Sequence, residues 1–152
     1  MSIRYDESKK TFTLQTKNST YQMKVSEYGY LLHLYYGDRI EDEDLSYLLK
    51  LQDRGFSPCP NEAGNDRTFS LDFLPQEFST DGNCDYRSGS IEVKNADGSY
   101  GFVGKVKGHR IYSGKYKLEG MPSLFGAEGD TVDSLEIRLQ DEATLLTVIL
   151  RY

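Results

Sequence analysis

The sequence predicts an all-β fold, an antiparallel β-sandwich with at most one short helix, and three observations predict it. Apolar residues recur with a period of two through most of the chain, as strands require when alternate side chains face a core. Tyrosine (12), phenylalanine (7) and glycine (14) are spread among these runs and the turns between them, a composition suited to sheets packed face to face. Only Asp44-Leu45-Ser46-Tyr47-Leu48-Leu49-Lys50 reads as helix. There Asp44 would cap the N-terminus and Leu45, Leu48 and Leu49 would share one face over one or two turns.

Taken in order, Phe12 and Leu14 alternate with Thr11, Thr13 and Gln15, and Lys17-Asn18-Ser19 forms a turn. Tyr21, Met23 and Val25 then alternate again, completing a hairpin. The pattern returns at Phe69, Leu71 and Phe73, at Ile91 and Val93, and at Ile111 beside Tyr112. It returns once more at Leu135, Ile137 and Leu139, and at Leu146, Val148 and Leu150. Asp97-Gly98 marks a turn between Ile91-Glu92-Val93 and Tyr100-Gly101-Phe102-Val103, because glycine reaches positive φ cheaply. The sum is roughly nine short strands. Thr144 to Tyr152 reads as a strong strand that runs to the last residue. The expectation is therefore a single β-sandwich domain over 1–152 that is part of a longer polypeptide and stops before its natural end.

A chain of 152 residues suits one domain with one core. With 38% hydrophobic and 28% charged residues and 4 prolines it belongs among folded globular proteins. The formal charge of −6 argues against a nucleic-acid partner, which needs a basic face. It is compatible with neutral sugars, which are held by hydrogen bonds and ring stacking. The start, Met1-Ser2-Ile3-Arg4-Tyr5-Asp6, lacks the apolar stretch of a secretion signal, and no run is long enough to span a membrane. The expected location is cytoplasmic, and without a secretion signal the glycosylation match at Asn18-Ser19-Thr20 carries little meaning. Cys59 and Cys84 are too few for a disulfide scaffold or a four-ligand zinc site and read as reduced thiols.

Signatures of nucleophilic, metal and nucleotide chemistry are missing, so no cofactor is expected. His33 and His109 have no partner at metal spacing and read as structural. Glycoside hydrolysis needs two opposed carboxyl groups, and 24 acidic residues nominate no pair. The run Glu41-Asp42-Glu43-Asp44 reads as a solvated turn. The most unusual segment runs from Asp53 to Arg67 and is dense in glycine, proline, asparagine and charge. Loops of this kind either merely connect or carry function. Its contents suit sugar binding, with Asp and Arg for hydroxyl groups, Asn as donor and acceptor, and Phe56 as a ring face.

An ordered series of segments carries a resemblance: Tyr28-Gly29, Leu31-Leu32-His33-Leu34-Tyr35-Tyr36-Gly37, Asp44-Leu45-Ser46-Tyr47-Leu48, Asp53-Arg54-Gly55-Phe56-Ser57-Pro58 and Asp66-Arg67-Thr68-Phe69-Ser70-Leu71-Asp72. Leu74-Pro75-Gln76-Glu77-Phe78-Ser79, Gly82, Asp85-Tyr86-Arg87 and His109-Arg110-Ile111-Tyr112-Ser113-Gly114-Lys115 continue it over nearly the whole chain. The series resembles the N-terminal domain of bacterial α-galactosidases of glycoside hydrolase family 36. That resemblance implies a β-supersandwich, a (β/α)8 barrel bearing two catalytic aspartates, and a smaller β domain. This chain would hold only part of the supersandwich, so no residue in it is expected to be catalytic.

The resemblance further implies a parent enzyme that hydrolyses terminal α-D-galactosides such as melibiose and raffinose with retention. It implies a tetramer of identical chains, in which a loop of one subunit reaches toward a neighbour's active site. On that basis Asp53, Phe56 and Arg67 would line the substrate pocket, with Asn65 and Asp66 beside them. Cys59 and Cys84 stand where the family pattern leads one to expect asparagine. The alternative is a free-standing carbohydrate-binding β-sandwich, suggested by the aromatic richness and the long polar loop, and a purely structural interaction domain is the third reading.

Overall fold

The computed structural model describes residues 2–41, 43–53, 55–56, 58–82, 84–122 and 131–152. Met1, Asp42 of the acidic run, and Arg54 and Ser57 of the polar loop lie outside the described residues. The described residues form seven strands: β1 (Ser2–Asp6), β2 (Thr11–Gln15), β3 (Ser19–Val25), β4 (Leu31–Asp38), β5 (Lys105–Ser113), β6 (Asp133–Gln140) and β7 (Thr147–Arg151). They make two sheets, β1-β2-β3-β4 and β5-β6-β7, in which every neighbouring pair is antiparallel. The two antiparallel sheets are the predicted architecture, with seven strands among the described residues where the sequence predicts roughly nine.

The period-two residues account for the main core. Phe12 and Leu14 on β2, Met23 on β3 and Leu31 on β4 meet Leu135, Ile137 and Leu139 on β6, with Ile3 and Phe102 closing the cluster. Burying each such side chain is worth roughly 1.5–3 kcal/mol of transfer free energy. The exposed His109 ring lies at the edge of this cluster, with its centroid 4.2 Å from that of Tyr5 and 5.0 Å from that of Phe12. Glu77 clasps the two sheets: its Oε1 accepts the Tyr152 hydroxyl at 2.7 Å and its Oε2 accepts the Tyr21 hydroxyl. His33 Nδ1 lies 3.9 Å from the same Oε2.

The polar residues alternating along β2 and β3 do not face water as a half-buried strand implies. Thr11, Thr13, Gln15, Thr20 and Gln22 are all buried, because residues 39–41 and 43–46 lie over the outer face of the first sheet as a strap. The Ile40 N–H donates to Thr20 Oγ1 at 3.1 Å, and Gln15 Nε2 donates to the Ile40 carbonyl at 2.8 Å. Gln22 holds the strap from both ends of its amide, donating to Glu43 O at 2.8 Å and accepting the Leu45 N–H at 3.2 Å. The acidic run thus keeps Glu41 and Glu43 in solvent while its backbone satisfies buried side chains.

The expected helix reduces to a 3-10 turn at Ser46–Leu48. Asp44 Oδ1 accepts the Ser46 N–H at 2.9 Å, close to the predicted capping role. Leu45 is buried and Leu49 is half-buried against the smaller core, but Leu48 is exposed, so the face gains too little apolar contact to propagate the costly first turn. A second 3-10 turn, Asn61–Ala63, lies in the polar loop, and no α-helix occurs among the described residues.

Three strand expectations are corrected. Residues 69–73 form turns, with the N–H groups of Phe73 and Leu74 both directed at Ser70 O, at 3.2 and 3.0 Å. Phe69, Leu71 and Leu74 are buried with Tyr30, Leu32 and Ala63 in a smaller core, and Phe73 is exposed, so the apolar spacing there is not that of a strand. The Asp97-Gly98 turn exists, with Gly98 at φ +85° and its N–H on Asn95 O at 2.9 Å. Its flanks make only single bridges, Lys94 to Tyr100 and Thr80 to Ile91. The last strand begins at Thr147 rather than Thr144, because Asp141 Oδ1 captures the N–H groups of Ala143 and Thr144, each at 2.8 Å.

Candidate sugar-facing loop

The polar segment leaves the strap at Leu49 and returns at Phe69, and it is anchored through its stem. Glu62, on the 3-10 turn, accepts the hydroxyl of buried Tyr30 at 2.7 Å and pairs with Lys105 of β5. The Lys105 ammonium lies 5.6 Å from the Tyr30 ring centroid, so one carboxylate ties the loop to both sheets. Burial works against the charged form of Glu62, but hydrogen bonds from Lys105 and Tyr30 outweigh it and hold the carboxyl below its ordinary value. Ser70 Oγ donates to Pro58 O at 2.9 Å, and Cys84 Sγ contacts Cys59 O at 3.6 Å.

The neighbouring turn is locked by Arg87. Its Nε and Nη2 grip the Asp85 carboxylate at 2.9 and 2.8 Å, and Nη2 also donates to Leu71 O at 2.6 Å and Leu74 O at 2.9 Å. Burial pushes the Asp85 carboxyl up, but hydrogen bonds from Arg87 overcome this and leave it depressed. An open depression of about 520 Å³ lies along this turn, lined by Asp81, Gly82, Cys84, Asp85, Tyr86 and Arg87.

At the tip the predicted residues come together. Arg67 Nη2 lies 2.9 Å from Asp53 Oδ1, which also accepts the Gly55 N–H at 3.0 Å. Gly55 and Phe56 hold φ of +43° and +52°, two left-handed residues in succession. Glycine takes that conformation without penalty, whereas for phenylalanine it costs about 1–2 kcal/mol. The Phe56 ring is 109% exposed, so it gains no packing in this chain to offset that cost. Asp66 is used locally: its Oδ1 accepts the Thr68 N–H at 2.9 Å and the Thr68 hydroxyl at 2.6 Å, which hold its carboxyl below the usual range. Asn65 is exposed beside it.

An exposed ion pair contributes about 0–1 kcal/mol to folding, and both side chains of the Asp53–Arg67 pair are more than half exposed. The tip therefore offers a fixed guanidinium, a carboxylate and a bare aromatic ring that do little for stability. Together these can donate to hydroxyls, accept from hydroxyls and stack on an apolar sugar face. The sequence nominates these residues but not the anchors Glu62, Lys105, Ser70 and Arg87, whose signal is tertiary. Among the described residues no cluster of His, Cys, Asp and Glu suits a metal ion, and no helix is long and apolar enough to cross a membrane.

Residues 29–152 match the glycosyl hydrolase family 36 N-terminal domain model. The chain is 45% identical over its whole length to the bifunctional alpha-galactosidase/sucrose kinase AgaSK of Mediterraneibacter gnavus, covering 16% of it. It is 38% identical over its whole length to alpha-galactosidase AgaA of Geobacillus stearothermophilus, covering 21% of it. The solved galactosidase domain of AgaSK superposes with a TM-score of 0.92 at 44% identity, over 99% of this chain and 21% of that one. An AgaA variant in complex with raffinose superposes with a TM-score of 0.84 at 38% identity, over 94% and 20%. The chain thus spans about a fifth or less of the relatives it matches.

Proposed function

Because this chain belongs to the glycosyl hydrolase family 36 N-terminal domain family, we propose that it is the non-catalytic N-terminal domain of an α-galactosidase acting on terminal α-D-galactosides. The observation that carries this reading is its full-length similarity, at 45% and 38% identity, to proteins named as alpha-galactosidases. Melibiose and raffinose are the expected substrates, and the complexes of related AgaA variants with raffinose and stachyose support that class. The sandwich carries the loop, and the loop presents Asp53, Phe56 and Arg67, with Asn65 and Asp66 beside them, to the rim of a pocket in a neighbouring copy of the enzyme. An exposed aromatic in a left-handed turn is accounted for if a sugar or a partner covers it. The parent is a cytoplasmic homo-oligomer, a tetramer in this reading, that needs no cofactor.

The test compares the full gene product with the 152-residue chain. The full product should release galactose from raffinose and the isolated chain should not. Turnover by the isolated chain that survives repurification, or an inactive full product, overturns the assignment. The exposed Phe56 ring favours one second reading, a carbohydrate-binding module. Millimolar galactoside binding by the isolated chain in calorimetry, together with an inactive full product, would establish that reading instead.

A further inference from the structure

The chain has only two cysteines, in segments 25 residues apart, and the fold brings them together at the stem of the polar loop. Cys59 follows Pro58, whose carbonyl is held by Ser70, and it packs on the smaller core. Cys84 comes from the turn locked by Arg87, and its sulfur sits 3.6 Å from the Cys59 carbonyl oxygen. Both thiols are free and half-buried. Cys84 holds φ +57°, a left-handed conformation that glycine or asparagine adopts more cheaply. A sulfur 3.6 Å from the partner residue's own carbonyl oxygen puts the two residues side by side, the first requirement for a disulfide.

We infer that Cys59 and Cys84 are a reversible disulfide pair that staples the polar loop to the turn locked by Arg87. The oxidant is a low-molecular-weight disulfide. The Cys59 thiolate attacks one of its sulfurs and expels one small thiolate, leaving a mixed disulfide on Cys59. The Cys84 thiolate then attacks the Cys59 sulfur and expels the second small thiolate. Two protein thiols lose two electrons and two protons, and the small disulfide gains them as two thiols. Cys84 takes the second step, because burial and the neighbouring charges of Cys59, Glu62 and Asp72 push its thiol up and leave it less often ionised than an ordinary thiol. Oxidation would fix the lower stem of the loop that carries Asp53 and Phe56. The inference is independent of the sugar reading, since its chemistry is read on the chain itself.

The test incubates the folded chain with oxidised glutathione, maps peptides by mass without reduction, and repeats the reaction in guanidinium chloride. The folded chain should yield a Cys59–Cys84 linked peptide, lighter by two hydrogens, at least about tenfold faster than the unfolded chain. Its Tm should rise by roughly 5–10 °C and fall back on adding dithiothreitol. Cys84→Ser should stop at the glutathione adduct on Cys59. Stable adducts on both wild-type thiols, disulfide-linked dimers, or a linkage that forms no faster than in denaturant would each overturn the pairing.

Discussion

The strap over the first sheet and the polar loop that follows it are made of similar residue types used in opposite ways. Beneath the strap, Thr20, Gln15 and Gln22 are buried and direct their polar atoms at backbone groups of residues 40–45. At the loop tip, Asp53 and Arg67 pair in solvent and Phe56 packs on nothing in the chain. A buried polar group that loses its partner costs the full desolvation penalty, whereas an exposed pair costs almost nothing to break. Polarity beneath the strap therefore specifies the fold, whereas polarity at the tip contributes little to it.

The largest effect is expected at Gln22. Gln22→Ala removes the bonds to Glu43 O and the Leu45 N–H and also the one Gln22 Nε2 makes to Thr13 Oγ1. It should cost about 2–4 kcal/mol in urea unfolding of the isolated chain. A loss below about 0.5 kcal/mol would mean that the strap is not a structural layer. Next in size is Glu77→Ala, which leaves the Tyr21 and Tyr152 hydroxyls without the carboxylate that joins the sheets. The expected cost is about 1–3 kcal/mol. Burial, then the hydrogen bond to Glu77, pushes both phenols well above their ordinary range, so neither should ionise on raising the pH to 11. A tyrosinate absorbance from these two residues at that pH would contradict the clasp.

Stability should fall on acidification through two other buried carboxylates. Burial raises Asp85 and Asp141, but Arg87 in the first case and the N–H groups of Val103, Thr144 and Ala143 in the second hold both below their unfolded values. Their contribution is fully present above the unfolded pKa of about 3.9 and is lost as pH falls through the lower folded values. Unfolding free energy should be level with respect to these two groups above about pH 5 and decline below about pH 4. Arg87→Gln should flatten that decline, which hydrogen exchange of the turn at Asp85 and Arg87 can also follow.

The period-two runs at β2, β3, β6 and β7 were legible because their apolar residues face a core on one side, as the register of Phe12 with Met23 and of Leu139 with Val148 shows. The strap was not, because nothing local distinguishes a threonine that faces water from one that faces another segment's backbone. β1 offers only Ile3 and Tyr5 as alternating apolar residues, and β5 is mostly exposed or half-buried, so neither stood out before Ile111. The 69–74 segment misled because Leu71 fits either a strand or a turn, and Arg87, which holds the turn, lies far along the chain. At the tip, residue types and family resemblance nominated Asp53, Phe56 and Arg67. Only the fold put Arg67 against Asp53 and the phenyl ring in solvent.

The smallest stability effect belongs to the tip. Phe56→Ala and Arg67→Ala should each change unfolding free energy by no more than about 0.5–1 kcal/mol, since one removes an unpacked ring and the other an exposed ion pair. Phe56→Ala in the full product should raise KM for raffinose with little change in kcat, as loss of a stacking surface does.

The most direct test is Arg67→Ala in the full gene product, with kcat/KM on raffinose, oligomeric mass and Tm read on one preparation. A charged hydrogen bond to substrate is worth about 1.5–3 kcal/mol, so kcat/KM should fall by roughly tenfold or more while mass and Tm hold. Unchanged kcat/KM in an intact assembly would contradict the account by removing Arg67 from the site, and a joint fall in mass and Tm would contradict it by making Arg67 a structural brace.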